Sequence, residues 1–198
     1  MYPPFSDAAR AVMNRSRDEA TRSKHEFVGT EHILLAMLHP DCPSWDTLVL
    51  IGVDPRAIRA ALEKQLATTA GTAEPMPRQP QTPRARKAVE HAIEASQELV
   101  RGAYVCTDHL LLGLLCTEDS VATAALAEFS VTLDVARTAV ILRMAATSRK
   151  AKDGVYVIDV KPDAGLEATL AAVSSIWRRM QKTTSIIVIG DEEERPKA

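Results

Sequence analysis

The sequence contains the stretch FVGTEHILLAML at residues 27–38 and returns to it as YVCTDHLLLGLL at residues 104–115. Each copy has an aromatic residue, a hydroxyl residue before an acid, a histidine and then an almost unbroken aliphatic run. The copies are 77 positions apart (27 to 104). Internal repetition of this kind indicates one structural unit that is used twice. The sequence therefore predicts a fold built from two related halves.

The similarity extends to both sides of this stretch. Upstream, Ser6 and Thr82 each open a helical segment, and downstream residues 52–54 align with residues 130–132. The aliphatic run at 33–38 is apolar almost all round, which is typical of a helix at the centre of a bundle. We therefore predict four helices in each repeat, over about 4–66 and 82–146, with Thr30 as the cap of the second helix.

Composition supports the same fold class. The chain of 198 residues is 46% hydrophobic but only 4% aromatic, and its many Ala and Leu residues favour helix over sheet. The predicted fold is mostly α, with two pseudo-twofold four-helix repeats in a domain over 1–148. Residues 67–81 are rich in proline and small residues, so we expect an exposed linker there.

The last fifth of the chain differs from the repeats. Residues 155–160 and 185–190 are rich in β-branched residues and read as strands, and a helical pattern lies between them. This predicts a small β-α-β appendage at 149–190, followed by a disordered acidic tail at 191–198. Because two strands alone are marginal, the appendage needs a further surface. It either forms a homodimer through residues 155–190 or lies on the helical domain.

Charge, cysteine content and hydropathy exclude several classes. The net charge of -2 gives no reason to expect nucleic acid. No run approaches the roughly 20 apolar residues that span a membrane. The three cysteines lack the spacing of a disulfide framework or a zinc ribbon. These features predict a cytoplasmic protein without membrane or nucleic-acid partners.

Motifs for catalysis and cofactor binding are also missing from the sequence. It has no glycine-rich loop followed by Lys-Ser or Lys-Thr, no GxSxG elbow and no HExxH pair. We therefore expect no catalytic residue, no cofactor and no ATPase activity.

The histidines suggest structure rather than chemistry. His25, His32 and His39 are spaced by sevens, but no acid or cysteine is expected to complete a site, so we predict no metal. His32 and His109 occupy equivalent positions, and each is expected to anchor the loop before its own helix. Cys106 has no cysteine counterpart in the first repeat, so a catalytic pair with His109 is disfavoured.

Glu31 and Asp108 stand at equivalent positions in the first turn of a central helix. A carboxylate there is stabilised by the helix dipole, which is one explanation for both. The other is ligand binding, because a carboxylate can take a guanidinium group bidentately while a helix start, with Ser6 or Thr82, takes an anion. Such a pair of sites would suit a zwitterionic ligand.

The two motif copies, each preceded by a helix that opens at a hydroxyl residue, resemble the N-terminal double-repeat domain of Clp-type AAA+ unfoldases, nearest the ClpC branch. The resemblance covers about residues 4–146. It implies an all-α domain that receives substrates and adaptor proteins. In the ClpC branch it also implies two phosphoarginine sites, here formed by Ser6 and Glu31 in the first repeat and by Thr82 and Asp108 in the second.

Three positions depart from the family pattern. Ser6 stands for the usual Thr, Cys106 for Gly, and Asp108 for the longer Glu. The shorter acid withdraws its oxygens by roughly one bond length, about 1.5 Å. The second site is therefore expected to fit a guanidinium group less well than the first.

The sequence as a whole predicts a stand-alone Clp N-domain protein without ATPase modules. Its expected function is non-catalytic binding of client proteins, adaptors or Clp subunits, which would modulate Clp-dependent proteolysis. The alternative is a sensor of a ligand or a phosphoarginine peptide that dimerises through the appendage.

Overall fold

The computed structural model describes residues 4–68, 79–99, 104–148, 155–159 and 185–189. Within these ranges the chain forms eight helices and two strands. The first repeat contains α1 (Asp7–Arg22), α2 (Thr30–Met37), α3 (Pro43–Ile51) and α4 (Pro55–Thr68). The second contains α5 (Pro83–Leu99), α6 (Thr107–Leu115), α7 (Val121–Glu128) and α8 (Leu133–Ser148). The predicted mostly α fold of two four-helix repeats is confirmed.

Helix ends follow the local sequence. The Ser6 hydroxyl accepts a hydrogen bond from the Ala9 N–H and caps α1, and Thr82 caps α5 in the same way. The cap of α2 was predicted at Thr30 and lies one residue earlier, at Gly29. The difference arises because the His32 ring, rather than the Thr30 hydroxyl, binds the free N–H at this helix start.

Matching left-handed residues end α3 and α7. Gly52 has φ 89° and Ser130 has φ 58°. The next N–H then returns to the helix, from Val53 to the Leu48 carbonyl and from Val131 to the Leu126 carbonyl. This shared geometry aligns α3 with α7, and α4 with α8, at an offset of 78 (52 to 130).

The central helices α2 and α6 form the core. All residues of α6 and nearly all of α2 are buried. The α1 helix packs on α2, and α5 packs on α6. A Cβ added at Gly113 would lie 2.2 Å from the Ala88 carbonyl oxygen and 2.7 Å from the Ala92 nitrogen. The backbones of α5 and α6 therefore approach each other too closely for any larger residue.

Equivalent arginines tie the last helix of each repeat to the first. Arg59 in α4 pairs with Glu19 of α1 at 2.9 Å, and Arg137 in α8 pairs with Glu98 of α5 at 3.0 Å. Arg59 also donates to the Leu35 carbonyl at 3.0 Å, so it holds α1, α2 and α4 together.

The two repeats exchange their leading segments. Phe5, before α1, forms a parallel bridge with Val105, before α6, and Gln81, before α5, forms one with Val28, before α2. Each bridge has two backbone hydrogen bonds of 2.8–3.0 Å. The start of each repeat is thus held by the other repeat, and the described helices share one hydrophobic core.

The end of the predicted linker belongs to the fold. Gln79 is buried, and its side-chain amide donates to the His25 carbonyl at 2.7 Å. The expectation of an exposed segment up to residue 81 is wrong for this residue, because the bridge between Gln81 and Val28 draws the chain against the first repeat. Residues 67 and 68 belong to α4, and residues 69–78 of the predicted linker lie outside the described residues.

The two C-terminal strands are β1 (Val155–Asp159) and β2 (Ser185–Ile189). They pair in parallel, with Val155 opposite Ser185 and Asp159 opposite Ile189. The predicted helix between them and the acidic tail lie outside the described residues. None of the described helices has the length and apolar character that crossing a bilayer requires.

Candidate functional site

Glu31 lies at the start of α2 with its carboxylate folded over Gly29. A Cβ at position 29 would lie 2.1 Å from one carboxylate oxygen and 2.4 Å from the other. The side chain is 16% exposed. Within the described ranges no arginine or lysine pairs with it. The glycine therefore leaves room for a carboxylate that solvent can reach.

His32 fixes the loop beneath this carboxylate. Its Nδ1 accepts the Gly29 N–H at 2.9 Å, so the ring proton lies on Nε2, which faces the Nδ1 of His25 at 2.9 Å. Burial, with a smaller contribution from the neighbouring His25, lowers the pKa of His32 to about 4. The ring is therefore neutral near pH 7 and serves as a hydrogen-bonding group.

His25, Glu31 and His32 also form the one described group of three side chains that could hold a metal ion, with ligand atoms within 4.8 Å of one another. The spacing of sevens thus brings His25 and His32 together, and an acid stands beside them, contrary to expectation. His39 lies apart and contacts Asp41. Glu31 approaches the Nδ1 of His32, which already accepts the Gly29 N–H, whereas His25 faces the Nε2. Because the two neighbours lie at opposite nitrogens of the ring, the geometry does not favour one shared ion.

The start of α5 lies beside this end of α2. The Thr82 N–H donates to the Val28 carbonyl at 2.9 Å, three residues before Glu31. The first turns of α5 expose Arg84, Arg86 and Lys87, and none of them forms an ion pair with another described residue. A helix N-terminus with three cations favours binding of an anion. The start of α5 can therefore take a negative charge, next to the helix start at which the Glu31 carboxylate can take a positive one.

Asp108, the equivalent acid, is in a different state. It is 1% exposed. Its carboxylate accepts a 2.7 Å hydrogen bond from the Thr47 hydroxyl of α3 and forms an ion pair with Arg143 of α8. The predicted ligand-binding carboxylate of the second repeat is therefore bound to the chain's own side chains.

Cys106 and His109 lie close together at the start of α6. The His109 Nδ1 accepts the Cys106 N–H at 3.1 Å and is 3.3 Å from the thiol. Burial raises the pKa of Cys106 and lowers that of His109. The thiol therefore stays protonated and the imidazole neutral, which is the opposite of the thiolate–imidazolium pair of a cysteine nucleophile.

The hydroxyl and acid residues meet across the repeats. The Ser6 N–H donates to the Val105 carbonyl at 3.0 Å, which puts Ser6 beside the start of α6, whereas Thr82 adjoins the start of α2. By sequence position Ser6 was grouped with Glu31 and Thr82 with Asp108; the bridges bring each hydroxyl residue next to the helix start that carries the acid of the other repeat. In addition, Asp7 follows Ser6 and pairs with Arg10, so the start of α1 carries an acid where α5 carries cations.

The two repeats, with their equivalent motifs and the bridges between them, belong to a known domain family. Residues 4–102 match the Clp repeat (R) N-terminal domain family. The chain belongs to this family. The match begins at the first described residue and runs through α5, so it includes both exchanged segments that precede α1 and α5.

Curated relatives of this Clp N-terminal repeat domain are much longer proteins. The chain is 36% identical over 149 residues to an ATP-dependent Clp protease ATP-binding subunit ClpA homolog of Cyanidium caldarium, covering 75% of the chain and 17% of the relative. It is 30% identical over 148 residues to the negative regulator of genetic competence ClpC/MecB of Bacillus subtilis (strain 168), covering 71% and 17%. The chain thus spans about a sixth of the length of these relatives.

Solved structures share the fold of the Clp N-terminal repeat domain. The Hsp104 N-terminal domain from Candida albicans superposes with a TM-score of 0.61 at 18% identity, covering 72% of this chain and 93% of that one. At this identity the likeness supports the fold alone.

Arg143 and Thr47 are the site residues that sequence reasoning missed. They lie 35 and 61 positions from Asp108, outside the repeated motif. A signal was nevertheless present. At the offset of 78 they correspond to Gln65 and Ala125, so the charge of Arg143 and the hydroxyl group of Thr47 are both missing at the equivalent positions.

Proposed function

We propose that this Clp N-terminal repeat domain is a non-catalytic protein-binding module that binds client proteins, adaptors or Clp subunits and so modulates Clp-dependent proteolysis. Family membership supports protein binding in general. Such a role places the protein in the compartment of a Clp machine, which for a bacterial-type system is the cytoplasm.

The observation that carries the proposal is a pair of exposed aromatic residues. Phe27 is 48% exposed and Tyr104 is 61% exposed, and they occupy equivalent positions in the two repeats. Each precedes the bridge residue that joins the repeats, Val28 or Val105. Exposed aromatic side chains on a rigid backbone are typical anchors of protein interfaces.

The test measures degradation of a fluorescent client by the purified Clp unfoldase and peptidase of the same organism. Adding an excess of the domain should change the degradation rate, and the Phe27→Ser/Tyr104→Ser variant should lose the effect. Val49, which is 52% exposed on α3, provides the control: Val49→Ser should retain it. Unchanged degradation together with no binding to the unfoldase by surface plasmon resonance would refute the proposal.

A second candidate is a sensor function, recognition of a phosphorylated arginine by Glu31. The open carboxylate and the three cations at the start of α5 support it, since the ligand carries a guanidinium group and a phosphate. The Thr82 hydroxyl, which caps α5 as an acceptor, retains its own proton for donation to that phosphate.

Titration with free phosphoarginine tests this candidate. Glu31→Gln, which keeps the shape of the side chain and removes its charge, should abolish saturable binding, and Thr82→Ala should weaken it. His91→Gln serves as a surface control and should bind like the wild type. Binding that survives Glu31→Gln would refute the assignment.

We also propose that residues 155–190 form a homodimer, because β1 and β2 make a sheet of only two strands within the described part of the chain, and such a sheet needs a further partner. Light scattering should give the mass of two chains for the intact protein and of one for a chain truncated after Lys150. The same number of chains per particle in the intact and the truncated protein would refute the role of the appendage.

A further inference from the structure

The two acid sites of the domain differ in what already occupies them. The Glu31 carboxylate is partly exposed and has no arginine or lysine partner among the described residues, whereas the Asp108 carboxylate is buried against Arg143. The guanidinium group of Arg143 therefore stands where an external guanidinium group would have to bind the second acid.

The residues around the two acids also differ in ways that agree with this arrangement. Gly29 leaves space for the longer carboxylate of Glu31, but the Cβ of Cys106 fills the equivalent space, so a carboxylate cannot lie over the loop there. The shorter Asp108 instead reaches inward to the Thr47 hydroxyl. At the offset of 78, the residues equivalent to Thr47 and Arg143 are Ala125 of α7 and Gln65 of α4, which supply neither that hydroxyl nor that guanidinium group for Glu31.

Competition from within the same chain is strong. A side chain held beside its partner has an effective concentration of roughly millimolar or more. Releasing Arg143 would also leave a buried carboxylate without its cation, which is strongly unfavourable. For both reasons, a free ligand at micromolar concentration cannot displace Arg143 from Asp108.

We propose that Arg143 is a built-in occupant of the Asp108 site, so that the domain offers one external guanidinium site, at Glu31, instead of two. This inference rests on the proposed recognition of phosphoarginine by Glu31 for its functional meaning. Arg143 then acts as a specificity-determining residue that keeps the second site closed. The domain presents one ligand-binding face although its fold has two.

Isothermal titration with phosphoarginine gives the number of sites. The wild type should bind one equivalent, lost in Glu31→Gln and retained in Asp108→Asn. Arg143→Gln, which installs the residue found at position 65, should bind two, and the second should disappear in Arg143→Gln/Asp108→Asn. Two equivalents in the wild type, or weaker binding in Asp108→Asn, would overturn the inference.

A second probe separates this inference from the phosphoarginine proposal. If the wild type binds no phosphoarginine, that proposal fails, and ethylguanidinium then tests the occupant alone. Ethylguanidinium should raise the melting temperature of Arg143→Gln more than that of the wild type, or restore the folding of the variant if it is unfolded. No rescue, or an equal effect on both proteins, would show that Arg143 does not occupy a guanidinium site.

Discussion

A single methylene group and the presence or absence of a Cβ decide how each acid of the repeated motif is used. Over Gly29 the Glu31 carboxylate remains at the surface, because nothing projects from the loop beneath it. Beside Cys106 the shorter Asp108 turns into the protein and becomes part of its interior. These two local differences therefore make the Asp108 carboxylate part of the interior and leave the Glu31 carboxylate available to a ligand.

Gly29→Ala tests this distinction. Gly29 has φ -93°, which alanine adopts without strain, and the three atoms nearest to an added Cβ all belong to the end of the flexible Glu31 side chain. We expect little change in the free energy of unfolding but displacement of the Glu31 carboxylate, and hence weaker binding of phosphoarginine. Urea unfolding and ligand titration measure the two effects. Unchanged affinity would contradict the role of the glycine.

The buried histidines make stability depend on pH. The pKa of His32 is near 6.5 when unfolded and about 4 in the fold, so the unfolded chain binds more protons between these values. Stability should therefore be complete above pH 6.5 and fall as the pH drops towards 4, by up to about 3 kcal/mol from this residue. His109, whose pKa is also lowered, adds in the same direction.

Urea unfolding at a series of pH values, with NMR titration of the His32 ring, measures this dependence. His32→Asn, whose side-chain oxygen can accept the Gly29 N–H, should reduce the slope below pH 6.5. The matched substitution of His39, whose side chain is 45% exposed, should not alter it. An imidazole that titrates near pH 6.5 in the folded protein would contradict the prediction.

At the scale of helices, the close approach of α5 and α6 sets the geometry of the second repeat. Gly113 occupies the position of Ala36 in α2, yet the backbone of α5 leaves no room for a methyl group there. The first and second repeats therefore differ in how tightly their outer helix packs on the central one.

Gly113→Ala distinguishes packing from helix propensity by the sign of its effect. Propensity alone predicts that alanine stabilises the middle of a helix by about 1 kcal/mol. The clash with the Ala88 carbonyl instead forces α5 away from α6, and overpacking of this kind costs about 1–3 kcal/mol or more. We expect a lower melting temperature by calorimetry, and a raised one would show that the helices separate without strain.

At the scale of the whole molecule, the repeat predicts the helices but not how the repeats are joined. The apolar run at 33–38 and its copy indicate central helices because their side chains leave no polar face. The bridges of Phe5 with Val105 and of Val28 with Gln81 use backbone groups alone, so no residue type in the sequence predicts them. The ion pair of Asp108 with Arg143 was not predicted either, since Arg143 lies 35 positions beyond Asp108 and outside the repeated motif.

Cutting the chain between residues 68 and 79 tests the joined fold. Each fragment alone loses the partner of both bridges and half of the shared core, so we expect each to be unfolded by circular dichroism. Mixing them should restore helix content and a complex of one copy of each. A first fragment that folds alone as a monomer would show that the repeats are independent domains.

The crossed bridges also bear on how such a chain could arise. Each repeat gives its leading segment to the other and receives the same contact in return, which is the relation between the two subunits of a twofold homodimer. A single repeat of this kind would complete its fold only by pairing with a second copy of itself. Fusion of two such subunits then keeps every contact while freeing each half to diverge, and the single arginine at position 143 is a change that a strictly symmetric dimer would have had to make twice.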